Sequence, residues 1–202
     1  MIKCLKVELH RAFCSVGFMV SVLLGLLLCL GYFAQHTLPF LLDGNLMQRY
    51  MDGGFPPSVF NQWIGAGFRT LEQYLLFLLL PILAALPAAT SFSADMGTGM
   101  LKNILVRCKR SHYFASKLLA VMLSAGCSVT IPLLVNLLLT CAAVPAILPV
   151  ASSATFSIFP TGMWAELFYT SPWVYTLGYL AIIFVFSGLI AQTALCLSFY
   201  FK

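Results

Sequence analysis

Four uncharged apolar runs dominate the pattern of the chain: Gly17–Ala34, Tyr74–Ala94, Leu118–Leu148 and Trp173–Tyr200. Each reaches the ~18 residues that mark a membrane-crossing helix. The first, GFMVSVLLGLLLCLGYFA, is just long enough to cross at ~1.5 Å per residue. The third exceeds one span, so its tail after Thr140, CAAVPAILPV with two prolines, leaves the bilayer or turns back into it. The first run is also too long for the 7–15 apolar residues of a secretory leader, and no small-x-small cleavage site follows it. The pattern predicts an all-α integral membrane protein of about four transmembrane helices in a single polytopic domain. Its segments are an interfacial helix (1–16), a first span (17–34), an outer loop (35–73), a second span (74–94), a cytoplasmic loop (95–117), a third span (118–141), an outer segment (142–172) and a fourth span (173–200).

Two polar stretches carry a helical period of their own. In SADMGTGMLKNILVRCKRSHYFASK (93–117), Met100, Leu101, Ile104, Leu105 and Cys108 fall within an arc of about 140° at 100° per residue. Lys102, Asn103, Arg107, Lys109 and Arg110 fill the opposite side, with Val106 the one apolar exception. Gly97 and Thr98 supply a flexible lead-in and an N-cap. The basic residues gather toward the C-terminal end, where the helix dipole favours them. Such a helix must bury its apolar face on lipid headgroups, under its own bundle or in a partner's groove. At the N-terminus, Ile2, Leu5, Leu9, Ala12, Phe13 and Val16 likewise share one face, with Lys3, His10 and Arg11 lying away from it. That is the pattern of a helix lying on the inner leaflet.

Composition agrees with this reading. Apolar residues make up 61% of the chain and charged residues 8%, against about 25% charged in soluble domains. The few charges also set an orientation, because Lys and Arg near span ends stay cytoplasmic. With the N-terminus inside, the cytoplasmic segments hold nine of the 11 basic residues, and the outer segments hold Arg49 and Arg69. Both termini are then cytoplasmic, in a multi-pass protein of the cell membrane.

The chain resembles the membrane subunits of ATP-binding-cassette exporters of the second type, the ABC-2-like permeases. Those begin with an interfacial helix carrying an acidic-then-basic pair, as VELHRAF does with Glu8 and Arg11. After the second span they carry an acid, a Gly-Thr, a short amphipathic helix, a basic pair, then an aromatic and a Lys opening the third span. ADMGTGMLKNILVRCKRSHYFASKLLA is similar at each element: Asp95, Gly97, Thr98, Lys109 with Arg110, Tyr113 and Lys117. The resemblance implies that the short helix is a coupling helix docking an ATPase through Thr98, Met100, Leu101, Ile104, Leu105, Arg107, Lys109 and Arg110. It implies an ABC ATPase subunit as partner, together with a second permease copy or a homologous membrane subunit. Members of that family have six spans. Four are read here, as in a shortened member, one half of a split permease or a truncated product.

Catalytic chemistry is absent from the pattern. G-x-x-x-x-G-K-[ST] does not occur, so any ATP hydrolysis belongs to a separate chain, and Gly97-Thr98-Gly99 lacks the third glycine of a dinucleotide motif. His10, His36 and His112 are scattered, with no H-E-x-x-H and no G-x-S-x-G. The seven cysteines contain no C-x-x-C and form neither a disulfide framework nor a metal site. The expectation is a non-enzyme without cofactor or metal, whose partners are the bilayer and other proteins and not nucleic acid.

Within the spans, Asn136 and Gln192 are the deepest uncharged polar side chains, suited to interhelical hydrogen bonds or to lining a route. No ionisable residue is central in any span, which argues against an ion-driven transporter. The outer segments 35–72 and 160–173 carry aromatic residues suited to resting on the outer interface. Two function classes remain. One is an exporter permease for an amphiphilic cargo such as an antimicrobial peptide, lipid or drug. The other is a membrane-embedded immunity or assembly factor that binds a partner and transports nothing.

Overall fold

The computed structural model describes residues 2–53, 57–66, 70–89, 110–149, 158 and 164–198. Among them there is helix and no strand. In chain order the elements are α1 (Ile2–Phe13), α2 (Val16–Tyr32), a π-helical turn (Phe33–Thr37), α3 (Leu38–Leu42), α4 (Gly44–Asp52), α5 (Val59–Gln62), a 3₁₀ turn (Ile64–Ala66), α6 (Leu71–Ala89), α7 (Arg110–Ala143), α8 (Ala165–Thr170) and α9 (Pro172–Leu197). Three stretches are long and apolar enough to cross a membrane: Val16–Leu42, Ser111–Ala143 and Pro172–Leu197. A shorter apolar helix covers Leu71–Pro87. The protein is an all-α membrane protein.

Local chemistry explains the breaks. Ser15 separates α1 from α2 by capping the latter: its Oγ accepts the Phe18 N–H at 3.1 Å. The first crossing stretch does not stop near residue 34. The π turn keeps its backbone bonded, and Pro39 sits in the first turn of α3, where its missing N–H costs nothing. α6 opens on a reciprocal capping box. The Gln73 N–H donates to Thr70 Oγ1 at 3.4 Å, and the Thr70 N–H donates to Gln73 Oε1 at 3.1 Å.

The chain divides into two compact units. The first comprises residues 1–25, 78–131 and 182–202; the second comprises 26–77 and 132–181. In the first unit, α7 and α9 approach closely because each offers a glycine to a large side chain of the other. A Cβ at Gly126 would lie 2.6 Å from the Phe184 ring, and one at Gly188 would lie 2.6 Å from Met122 Cγ. Beside them Val121 and Ala125 of α7 pack with Ala191 and Leu195 of α9. Ser187, Gly188 and Ala191, three of the small residues of the fourth apolar run, are buried within the chain.

α2 meets α6 in the same unit through a repair of the backbone. Pro87 has no N–H to give the carbonyl four residues back, which belongs to Leu83. Ser21 of α2, fully buried, donates its Oγ–H to that carbonyl at 2.7 Å. An apolar surrounding makes this bond obligatory. Ser21→Ala is therefore expected to cost about 1–3 kcal/mol by stranding the carbonyl, and Pro87→Ala should cancel most of that cost by restoring a helical donor. Thermal unfolding in detergent of the two single variants and the double variant measures the coupling; additive effects would rule it out.

Candidate functional site

α1 presents a carboxylate to the protein interior. Among its described side chains Glu8 and Ala12 are buried, flanked by half-buried Leu5, Leu9 and Phe13, while Lys6, Val7 and His10 are exposed. Phe13 meets Phe18 edge-on, with ring centroids 5.1 Å apart. The inward stripe of α1 therefore takes in Glu8, which the apolar period alone leaves out.

The reason is Lys117, on the second turn of α7 and only 2% exposed. Its Nζ lies 3.7 Å from Glu8 Oε2 and donates to Tyr113 Oη at 3.4 Å. The ammonium also sits 5.7 Å from the centroid of the Tyr113 ring, one helical turn back. The other Glu8 oxygen, Oε1, accepts from Arg11 Nη1 at 3.3 Å. A buried lysine is tolerated only when paired and hydrogen-bonded, and this one is held by α1. The cluster belongs wholly to the first unit and ties the N-terminal helix to the start of α7.

The second unit has its own polar centre, around Asn136. This residue is fully buried on α7, and both ends of its amide are used. Nδ2 donates to the Cys29 carbonyl of α2 at 3.0 Å, and Oδ1 accepts the Ile64 N–H at 3.2 Å. The Ile64 carbonyl in turn accepts from Gln73 Nε2 of α6 at 3.2 Å. Trp63 Nε1 donates to the Leu133 carbonyl at 3.2 Å. Residues 57–60, 63, 64 and 66 are buried, so this part of the segment expected to rest on the outer interface is internal to its unit. A sequence signal was present in the Thr70–Gln73 capping box and in the apolar Phe60, Trp63 and Ile64. At one rim of the unit, His36 Nε2 lies 3.4 Å from Glu72 Oε2 and the His36 ring packs on Tyr32 at 4.9 Å. Glu72, just ahead of the second predicted span, has its carboxyl held below the usual range by its own backbone N–H and then by the Thr70 hydroxyl and the His36 charge.

Other residues singled out in the sequence lie elsewhere. Thr98, Met100, Leu101, Ile104, Leu105, Arg107 and Lys109 fall outside the described residues, and so does the side chain of Ile2. Arg110 is the first residue of α7. Gln192 is half-buried on α9, in the first unit, and is not brought together with Asn136. Among the described residues no group of three or more His, Cys, Asp or Glu side chains is placed to hold a metal ion.

Neither the curated proteins nor the solved structures contain a match to this chain. A family model described as a protein of unknown function (DUF2705) matches residues 26–202. That stretch includes Lys117, Tyr113 and the whole Asn136 centre but not α1, and on it the chain belongs to the DUF2705 family.

Proposed function

We propose that the chain is the non-catalytic membrane subunit of an ATP-driven ABC exporter, moving an amphiphilic cargo such as an antimicrobial peptide, a lipid or a drug. One observation carries this reading. Glu8 with Arg11, and Tyr113 with Lys117, are the residues of two distant stretches that resemble the ABC-2-like permeases. They converge in a single cluster around the buried Glu8 and Lys117. In such a machine a loop pushed by an ATPase must move membrane helices. Residues 95–109 immediately precede α7 in the sequence, and α7 grips α1 through Lys117, so a push on the start of α7 would reach two helices at once. ATP hydrolysis lies in a separate subunit, and a second permease copy or homologous subunit completes the assembly.

The orientation that follows from the distribution of Lys and Arg puts both termini and residues 100–112 in the cytoplasm and residues 45–60 outside. Reporter fusions or impermeant labelling at the two positions should give that pattern, and the reverse pattern would end the coupling-helix reading. The central experiment is purification of the tagged chain from its native membranes in mild detergent. An ATPase subunit bearing a Walker A sequence should accompany it, along with a second membrane subunit. A monodisperse, functional monomer without any ATPase would leave the immunity or assembly factor as the better account.

A further inference from the structure

The segment 58–66 belongs to the second unit and is mostly buried. It is a single helical turn, α5, followed by a 3₁₀ turn, and it runs from the residues just after α7 back along the C-terminal part of that helix. At one end Ser58 Oγ donates to the Ile147 carbonyl at 2.6 Å and the Val59 N–H to the Pro145 carbonyl at 3.3 Å. At the other end Trp63 reaches the carbonyl of Leu133. Leu133 is eight residues inside the end of the predicted span at 141, about 12 Å at the rise of a helix and not far from the middle of a ~30 Å hydrocarbon layer. Irregular backbone at that depth survives only where protein satisfies it. Here two side chains do so for Ile64: Asn136 takes its N–H and Gln73 supplies its carbonyl.

The segment is bonded to α6 and α7, packed on α9, and tied to α2 through a shared side chain. Gln73 belongs to α6, and Leu133 and Asn136 belong to α7. Phe60 meets Trp173 of α9 edge-on at 5.0 Å, and Trp63 meets Tyr179 at 6.0 Å. α2 is joined through Asn136, which holds Cys29 and Ile64 together. An element bonded to α6 and α7, packed on α9 and linked to α2 through Asn136 stands between the helices that a route through the unit would have to pass.

We infer that residues 58–66 are a re-entrant gate, closed by Asn136 and Gln73 and opened when those two side chains release Ile64. What passes the gate rests on the exporter reading; the closure itself does not, and it is tested without an ATPase. The purified chain, reconstituted in liposomes loaded with carboxyfluorescein, should hold the dye. Asn136→Ala and Gln73→Ala should each raise the leak about tenfold or more, while Ser21→Ala, in the first unit, leaves it at the wild-type level. To separate opening from misfolding, Ser58→Cys and Ile147→Cys are added to the Asn136→Ala chain. Oxidation should then stop the leak by pinning the segment, and reduction should restore it, with no response when the two cysteines are left out. Unchanged retention in folded Asn136→Ala and Gln73→Ala chains, or a leak that oxidation does not stop, would overturn the gate and leave 58–66 a static filler. Loss of the ATPase partner in the co-purification experiment would remove the exporter reading and leave this result standing.

Discussion

Replacing Leu101 and Leu105 with Asp should strip the ATPase from the purified complex while the chain still inserts in the membrane. On the sequence's helical period these residues share the apolar face of the loop with Ile104. In a coupling helix that face enters a groove, where buried apolar anchors carry most of the interface energy. Each leucine is worth about 1.5–3 kcal/mol when fully buried. Two of them amount to about 3–6 kcal/mol, or roughly 10²–10⁴-fold in affinity. Neutralising Lys109 and Arg110 should do much less, changing the encounter rate and salt dependence, because rim charges stay solvated. The contrast between the two variants is the discriminating feature. A helix that only rests on lipid would be released from the membrane surface by the Asp pair, and every protein partner would remain bound. Quantitative recovery of the ATPase with the Leu101/Leu105 variant settles which occurs; undiminished recovery ends the exporter reading of this loop.

What could be read from the sequence and what could not divide along a physical line. Runs of apolar residues report what a helix must hide from water, so the long helices were legible. Their limits were less so. α7 begins at Arg110, ahead of the apolar run at 118, because SHYFASK is helical while polar. Ser116 and Lys117 are buried there through bonds to the His112 carbonyl, Tyr113 and Glu8, which no hydropathy pattern registers. Burial of Glu8 was hidden for the same reason: its partner is 109 residues away, and a helical wheel knows only its own residues. The segment 58–66 has no period to detect, since its helix lasts one turn and its hydrogen-bonding partners are side chains and carbonyls of other helices. Gly188 and Ala191 meet α7, a pairing that the composition of the fourth run does not specify.

The buried pair that joins α1 to α7 should show its character in an asymmetry. Glu8→Ala leaves the ammonium of Lys117, 2% exposed, without its carboxylate. Removing one partner of a buried pair typically costs about 3–5 kcal/mol, and here the ammonium keeps its contacts with Tyr113, so the loss should fall at the lower end of that range. Lys117→Met should cost less: Glu8 keeps Arg11, whose side chain is 34% exposed and can follow the carboxylate toward solvent. The double variant Glu8→Ala/Lys117→Met should then be more stable than Glu8→Ala alone, since it no longer buries an ammonium that has lost its carboxylate. Arg11→Gln, at the exposed end of the cluster, should change stability by about 0.2–1 kcal/mol. Thermal unfolding in detergent across the four variants gives the coupling energy directly. A Glu8→Ala chain as stable as the wild type would mean that Lys117 finds another partner, and α1 would then not be gripped by α7. If the ordering holds, the same double variant has a second use. If it also unfolds as cooperatively as the wild type, it lacks only the ionic tie, and on the exporter reading a loss of transport in it would be a loss of force transmission and not of structure.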